Sequence, residues 1–219
     1  MKENKVWTVT SGKVKSMNEA CETVRVLGTV TFQQDVEVKH LSIFGQGSFR
    51  GSVVVEQLTN KGVCMMKEAC EVNDVKNLGH LQLKIGKMTN VESSGYLKVD
   101  KRLDCQWMNV KGAFSGEEIH AKQVHCRLSG ASRVHKLTAD KVVVERAKGT
   151  FSLIKKKLTC ETIIGKQLSL SLTEANEVEG EEVVIGPGCQ IHTLRYTKRY
   201  AIDPSSTVQH IIQMEGTSE

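Results

Sequence analysis

Residues 62–79 read GVCMMKEACEVNDVKNLG, and this stretch decides the fold. It begins on Gly62 and ends on Gly79, so one glycine opens the stretch and the next closes it. Apolar residues follow the first glycine at offsets of 2, 4, 8, 10 and 13, at Cys64, Met66, Cys70, Val72 and Val75. Side chains two residues apart lie on one face of a strand, so offsets 2 and 4 mark one inward pair and 8 and 10 a second. The stretch therefore predicts three short strands joined by corners.

The same pattern recurs along the chain. The glycines that mark it have residue numbers that differ in turn by 17, 17, 17, 16, 17 and 18: Gly28, Gly45, Gly62, Gly79, Gly95, Gly112 and Gly130. The inward offsets recur after Gly28 at Val30, Phe32, Val36, Val38 and Leu41, and after Gly95 at Leu97, Val99, Leu103, Cys105 and Met108. Neither helical spacing nor hairpin turns interrupt them. The chain is predicted to be all-β, a single-stranded right-handed parallel β-helix of about ten coils with roughly 17 residues each.

The corners of this β-helix have their own signals. We expect the recurring glycine to adopt a positive φ at a sharp corner. Asn60 and Asn77 occupy the same place in successive repeats, so their side-chain amides are expected to stack and to satisfy one another.

The repeat sets the domain limits: an N-terminal tail at 1–20, the β-helix at 21–196, and a C-terminal cap or tail at 197–219, where Pro204 stands among polar residues. A terminal coil exposes unpaired strand groups and apolar side chains, which is a template for association. The residues predicted to form this polymer interface are Val24 and Val26 at one end, and Ile191, Leu194 and Tyr196 at the other.

Composition narrows the class of protein. The 219 residues carry a net charge of +5 with both signs interspersed, which is typical of a solubilising surface, so no nucleic-acid partner is expected. The longest uncharged stretch, 183–194, is far shorter than the roughly 20 apolar residues of a membrane-spanning helix. Because no secretory signal is recognisable and no CxxC occurs among the seven cysteines, we expect a cytoplasmic protein with reduced, buried thiols.

The sequence contains two groups of residues that could bind a metal or act in catalysis. His120, His125, Cys126 and His135 match no zinc spacing, and alternation sends His125 and Cys126 to opposite faces, so neither metal nor other cofactor is expected. An acidic run and a preceding Lys155–Lys157 run are expected to form a ladder of opposite charges between coils rather than a catalytic carboxylate pair; the acidic residues are Glu174, Glu177, Glu179, Glu181 and Glu182. No catalytic residue is assigned.

The N-terminal segment is basic and contains one amphipathic ring. Its residues predict at most a weak contact with an anionic membrane surface, and a solvated tail is the favoured interpretation. They are Lys2, Lys5, Trp7, Lys13 and Lys15.

The glycine-marked coils end in VVIGPGCQI at 183–191, followed by Tyr196. In these features the chain resembles the bactofilin-type polymer-forming bacterial cytoskeletal proteins over roughly residues 24–210. The resemblance implies end-to-end, nucleotide-independent, non-polar filaments that support cell shape, envelope growth or motility structures, often at the inner face of the membrane. The partners it implies are further copies of the chain or a related bactofilin. The alternative from another class is a carbohydrate-active or acyl-transfer β-helix enzyme.

Overall fold

The computed structural model describes residues 5–16, 21–146 and 156–215. Every regular element in these ranges is a β-strand, and the pairings from β1 to β7 and from β9 to β14 are parallel. The strands are β1 Val6–Val14, β2 Thr23–Phe32, β3 Val36–Ile43, β4 Gln46–Phe49, β5 Val53–Asn60, β6 Val63–Asn77, β7 His80–Ser93, β8 Tyr96–Val110, β9 Ala113–Leu128, β10 Ser132–Arg146, β11 Leu158–Leu170, β12 Thr173–Ile185, β13 Gln190–Ile202 and β14 Thr207–Gln213.

The chain divides into two compact units, Met1–Gln106 and Trp107–Glu219. In the first unit the strand order is β1-β2-β3-β5-β6-β7, followed by the part of β8 up to Gln106, with β4 paired to β2 and β6. In the second the order is β9-β10-β11-β12-β13-β14. The described residues form a parallel β-solenoid of about 11 turns, compared with the ten predicted, and the predicted spacing of about 17 residues per turn is confirmed.

The inward positions are confirmed. All fifteen side chains predicted to face inward after Gly28, Gly62 and Gly95 are at most 9% exposed. The strand register explains the 17-residue spacing of the inward side chains. In the first unit the successive register partners are Val24, Leu41, Leu58 and Val75, each one repeat further along the chain. Phe32 and Phe49 stack one turn apart, with ring centroids 4.7 Å apart and planes 5° from parallel. Each turn thus repeats the contacts of the turn before it.

The three strands expected in each turn are mostly merged. β6 and β8 each run for 15 residues, because parallel hydrogen bonding continues round the corners instead of stopping at them. Only the earliest turns are split, as with the separate strands β3 and β4. The inward positions are the same whether a turn has separate strands or one merged strand. The predicted inward and outward faces are therefore confirmed, whereas the predicted strand ends are wrong.

The repeat requires glycine for a different reason from the predicted one. Among the described glycines only Gly12 and Gly188 have a positive φ, so Gly45, Gly62 and Gly79 do not turn corners by left-handed geometry. A Cβ on any of these three would instead lie closer than 3.0 Å to the carbonyl oxygen of the glycine one turn earlier. The repeat requires glycine because adjacent backbones meet there without room for a side chain.

This contact gives a direct prediction. Gly62→Ala should lower the free energy of unfolding by about 1–3 kcal/mol, because the new methyl group forces the backbone apart. Gly130→Ala is the matched control, since the nearest atom to its Cβ is that of Ala113 at 3.5 Å. Urea titration of the two variants measures the difference, and equal losses would contradict a steric origin of the repeat.

The predicted asparagine stack is confirmed and includes a serine. Asn60 donates through Nδ2 to Oδ1 of Asn77 at 2.8 Å, and Asn77 donates to Oγ of Ser93 at 2.9 Å. The same amides also donate to the carbonyls of His80 and Tyr96, each at 3.0 Å. All three stacked side chains are at most 2% exposed. Buried polar groups are tolerated in this column because each finds a partner in a neighbouring turn.

Both predicted tails contain strands. Residues 6–14 form β1, which pairs in parallel with β2, and at the other end β13 continues to Ile202 and is followed by β14. Residues 6–14 are therefore not a tail, and of the two alternatives for 197–219 the strand at 207–213 agrees with a cap. The spacing of the repeat extends to both ends: Gly12 stands about one repeat before Gly28, and Val208 stands one repeat after Ile191. Pro204 lies in a tight turn, closed by the Ser206 amide and the Asp203 carbonyl, which connects two strands.

Candidate assembly interface

The strands at the edges of the two units are β1 and β14. Within the described residues β1 pairs only with β2, and β14 only with β13. Each therefore presents one row of backbone N–H and C=O groups to whatever adjoins it. Such an edge is a template for the addition of a further strand.

The residues predicted for the polymer interface lie one turn further inside. Val24 and Val26 are fully buried and lie beside Trp7 and Val9 of β1. Ile191 and Leu194 lie beside Val208 and Ile211 of β14 and are at most 2% exposed, whereas Tyr196 is half-buried beside Gln213. The prediction of these five as terminal surface was wrong, because β1 and β14 each extend the solenoid outward by a turn.

The edge at β14 is the more apolar and the less protected. Tyr200 and Ile211 are each 43% exposed, although they occupy register positions that are buried in the preceding turn, at Val183 and Leu194. At the other edge the corresponding inward residue, Val9, is only 9% exposed. The sequence of β14, TVQHIIQ, contains no charged residue and no proline. Soluble proteins usually place such residues on an open edge to prevent pairing, so this edge is suited to association.

The N-terminal basic residues are on or beside β1. Lys5, Lys13 and Lys15 are exposed, whereas Trp7 is only half-exposed because its strand position lies opposite Val24. Lys2 lies outside the described residues. The indole ring of Trp7, which was predicted for membrane contact, is thus part of the first turn. The side chains of Lys5, Lys13 and Lys15 are exposed to solvent around it. Among the described residues there is no helix long and apolar enough to cross a bilayer.

The acidic run forms ion pairs between turns, with partners the sequence did not indicate. Glu177 binds Arg195 at 2.6 Å, Glu181 binds Lys198 at 2.7 Å, and Glu182 binds Arg199 at 2.8 Å. Of the preceding lysine run, Lys157 pairs with Glu174, and Lys155 lies outside the described residues. A ladder of opposite charges was the right expectation, but most of its cations come from the following turn. Exposed pairs of this kind each contribute about 0.2–1 kcal/mol.

The predicted separation of His125 and Cys126 is confirmed. Cys126 is fully buried, whereas His125 points outward and lies 3.0 Å from Glu145, which also accepts a hydrogen bond from Arg127 at 2.8 Å. The hydrogen bonds from Arg127 and His125 hold the pKa of the Glu145 carboxyl below its ordinary value. No group of three or more metal-ligating side chains occurs in the described part of the chain.

A shallow polar groove of about 520 Å³ crosses β11 to β14 in the second unit. It contains two carboxylates and an imidazole, each with a partner. Glu161 accepts a hydrogen bond from Asn176 at 3.0 Å, Glu174 pairs with Lys157, and Nδ1 of His192 lies 2.6 Å from Gln209. The sequence alone does not indicate this groove, because its side chains are distant in sequence and come together only through register.

The cysteines are free and buried, all seven of them, as predicted. Burial raises the pKa of Cys70, Cys105, Cys126 and Cys160 to about 12. Since the thiolate is the reactive form, native thiols should alkylate very slowly at neutral pH. Cys105, which is 9% exposed, is expected to be labelled only on unfolding, with mass spectrometry of iodoacetamide-treated protein as the measurement. Rapid native labelling of Cys105 would contradict its inward position.

Comparison with known proteins finds partial relatives only. No family model and no solved structure matches the chain. It is similar to two uncharacterized proteins of Bacillus subtilis (strain 168): YhbF, 38% identical over 78 residues, and YhbE, 36% identical over 96 residues. These matches cover 36% and 42% of this chain, and 33% and 40% of the respective relatives. The chain thus matches two-fifths or less of each relative's length.

Proposed function

We propose that this protein is a structural scaffold that assembles end to end through its edge strands without a nucleotide. The observation that carries the proposal is the β14 edge: within the described residues this uncharged strand is paired on one side only, its own Ile211 is exposed, and so is Tyr200 of the preceding strand β13. A second strand added there would satisfy backbone groups and cover apolar side chains in one step.

The symmetry of the junction decides the kind of polymer. If β14 edges associate with each other and β1 edges with each other, every junction is isologous, and alternating junctions propagate a non-polar filament. If β14 associates with β1, the filament is polar. Apolar side chains at inward register positions are more exposed at the β14 edge than at the β1 edge. This difference supports a first step in which two copies join through β14. The resemblance to bactofilins supports the non-polar form, and it also supports a location in the cytoplasm at the inner face of the membrane, with a related bactofilin as a co-assembling partner.

An enzyme is less well supported. A glycosidase requires one carboxyl group that can protonate the leaving group and a second placed to act as nucleophile or base. In the groove of the second unit Glu161 and Glu174 are held by Asn176 and Lys157. Three further carboxylates of the acidic run, those of Glu177, Glu181 and Glu182, are paired with cations. These pairings favour a structural role for the same residues.

Sedimentation velocity over a range of protein concentrations tests the proposal, with and without ATP or GTP. We expect the weight-average sedimentation coefficient to rise with concentration and to be the same with nucleotide. A monomer at tens of micromolar would overturn end-to-end assembly. Assembly that requires nucleotide would overturn the mechanism, since the proposed junction uses only strand pairing and apolar burial.

A further inference from the structure

The first unit carries a row of exposed apolar side chains along one corner. Leu27, Phe44 and Leu78 are 50%, 46% and 45% exposed, and each stands immediately before one of the stacked glycines. Lys61 occupies the same position in the turn between Phe44 and Leu78, and its ammonium lies 5.3 Å from the Phe44 ring centroid. We call these four residues the ridge. Large apolar side chains in three of four successive turns of a solenoid are costly to leave in water and are typical of a contact surface.

The ridge is also cationic. Arg25 and Lys76 belong to one outward column, in which Arg25, Ser42, Thr59 and Lys76 are successive register partners. Both are exposed, two residues before Leu27 and Leu78 respectively. Within the described residues neither they nor Lys61 has a carboxylate within ion-pair distance. The ridge therefore presents apolar groups flanked by three cations, none of which forms an ion pair in the described turns, although Glu92 is the register partner of Lys76 in the following turn.

Another part of the surface of the first unit is acidic. A groove of about 720 Å³ follows the first half of β3 and the strands that pair below it. Five carboxylates line it, and the single cation among its lining residues, Lys39, is already bound to Glu22 at 2.7 Å. Glu37, Glu56 and Glu71 are exposed within it, and the side chain of Val54, 43% exposed, provides an apolar patch between Glu37 and Glu71.

We propose that the ridge of one copy docks into the acidic groove of a second copy, so that the first units associate side by side. Charge complementarity carries this inference: the cations of the ridge and the carboxylates of the groove are opposite in sign, and each surface has apolar groups between its charges. Because the two surfaces differ, the contact is heterologous and each copy retains one free ridge and one free groove. The contact is independent of the β1 and β14 edges, so it does not rest on the proposed end-to-end assembly.

Charge-swap variants of the full chain test the contact. The ridge variant combines Arg25→Glu, Lys61→Glu and Lys76→Glu, and the groove variant combines Glu37→Lys, Glu56→Lys and Glu71→Lys. The control reverses three exposed lysines that belong to neither surface, Lys101→Glu, Lys122→Glu and Lys141→Glu. Static light scattering and sedimentation velocity at low and high NaCl measure lateral association, because screening weakens exposed charge pairs.

We expect wild-type protein to associate laterally at low salt and to lose most of this association at high salt. Each single-surface variant should reduce low-salt association at least tenfold, and the control should not. A variant that carries both swaps should regain it, and so should an equimolar mixture of the two single-surface variants. Since all six swapped positions are exposed, circular dichroism should show folded protein in every case.

Several results would overturn the proposal. One is lateral association that the ridge variant leaves intact. Another is a double swap that fails to restore it while the protein remains folded. A third is binding of the ridge to anionic phosphatidylglycerol vesicles with no self-association in their absence, which would make a lipid surface the occupant. If the protein did not assemble end to end, side-by-side pairs would still form. The light-scattering comparison of wild-type protein with the charge-swap variants would therefore still test the contact.

Discussion

Val99→Asp is expected to lower the free energy of unfolding by about 4 kcal/mol or more, because a carboxylate would enter the core without a partner. Val99 is 2% exposed and lies in β8 between the buried residues Leu97 and Leu103. The new side chain must either remain charged in an apolar interior or become protonated, and both outcomes destabilise the folded state. Urea unfolding followed by circular dichroism measures the loss.

Lys98→Asp is the matched control, one residue away on the same strand. The side chain of Lys98 is 43% exposed, and its ammonium binds Asp100 at 3.0 Å. Loss of this surface pair and the introduction of a like charge beside Asp100 should cost about 1 kcal/mol or less. If the two variants were equally destabilised, the assignment of inward and outward faces in this strand would be wrong.

Ile211→Glu is expected to abolish association through the β14 edge. Ile211 would be buried at a junction between two copies, and an unpaired carboxylate there should weaken association at least about a hundredfold, equivalent to about 3 kcal/mol. The residue is already 43% exposed in the single chain, so the fold should tolerate the change. Sedimentation velocity at a concentration where the wild-type protein is assembled measures the effect.

Val184→Glu serves as the control for this edge. Val184 is apolar and 49% exposed, but it lies in β12, which already has a strand partner on each side. It should assemble like the wild-type protein. Assembly of Ile211→Glu at the wild-type level would contradict the assignment of β14 as an interface.

The sequence predicted the interior of the solenoid well because each inward position repeats. Cys64, Met66 and Cys70 are chemically unlike Val30, Phe32 and Val36, yet they occupy the same register positions and are equally buried. The spacing of the repeat carries this information even where residue type varies. The stack of Asn60 and Asn77 could be predicted for the same reason.

The surfaces were harder to predict because they depend on what lies one turn away. β14 was hidden by Pro204 and its polar neighbours, which read as the end of the fold but form a turn between strands. The cations that pair with Glu177 and Glu182 could not be identified without register. Arg195 is the register partner of Glu179 rather than of Glu177, and the pairing of β12 with β13 shifts by one position before Glu182. The cause of the recurring glycine was also missed, because a close approach between backbones leaves no trace in one repeat alone.

The most direct test of the scaffold is a negative-stain electron micrograph of the purified wild-type protein at tens of micromolar, prepared without nucleotide. The account predicts filaments, or at least linear oligomers of several copies, formed through the strand edges. A field of uniform single particles at that concentration would contradict it.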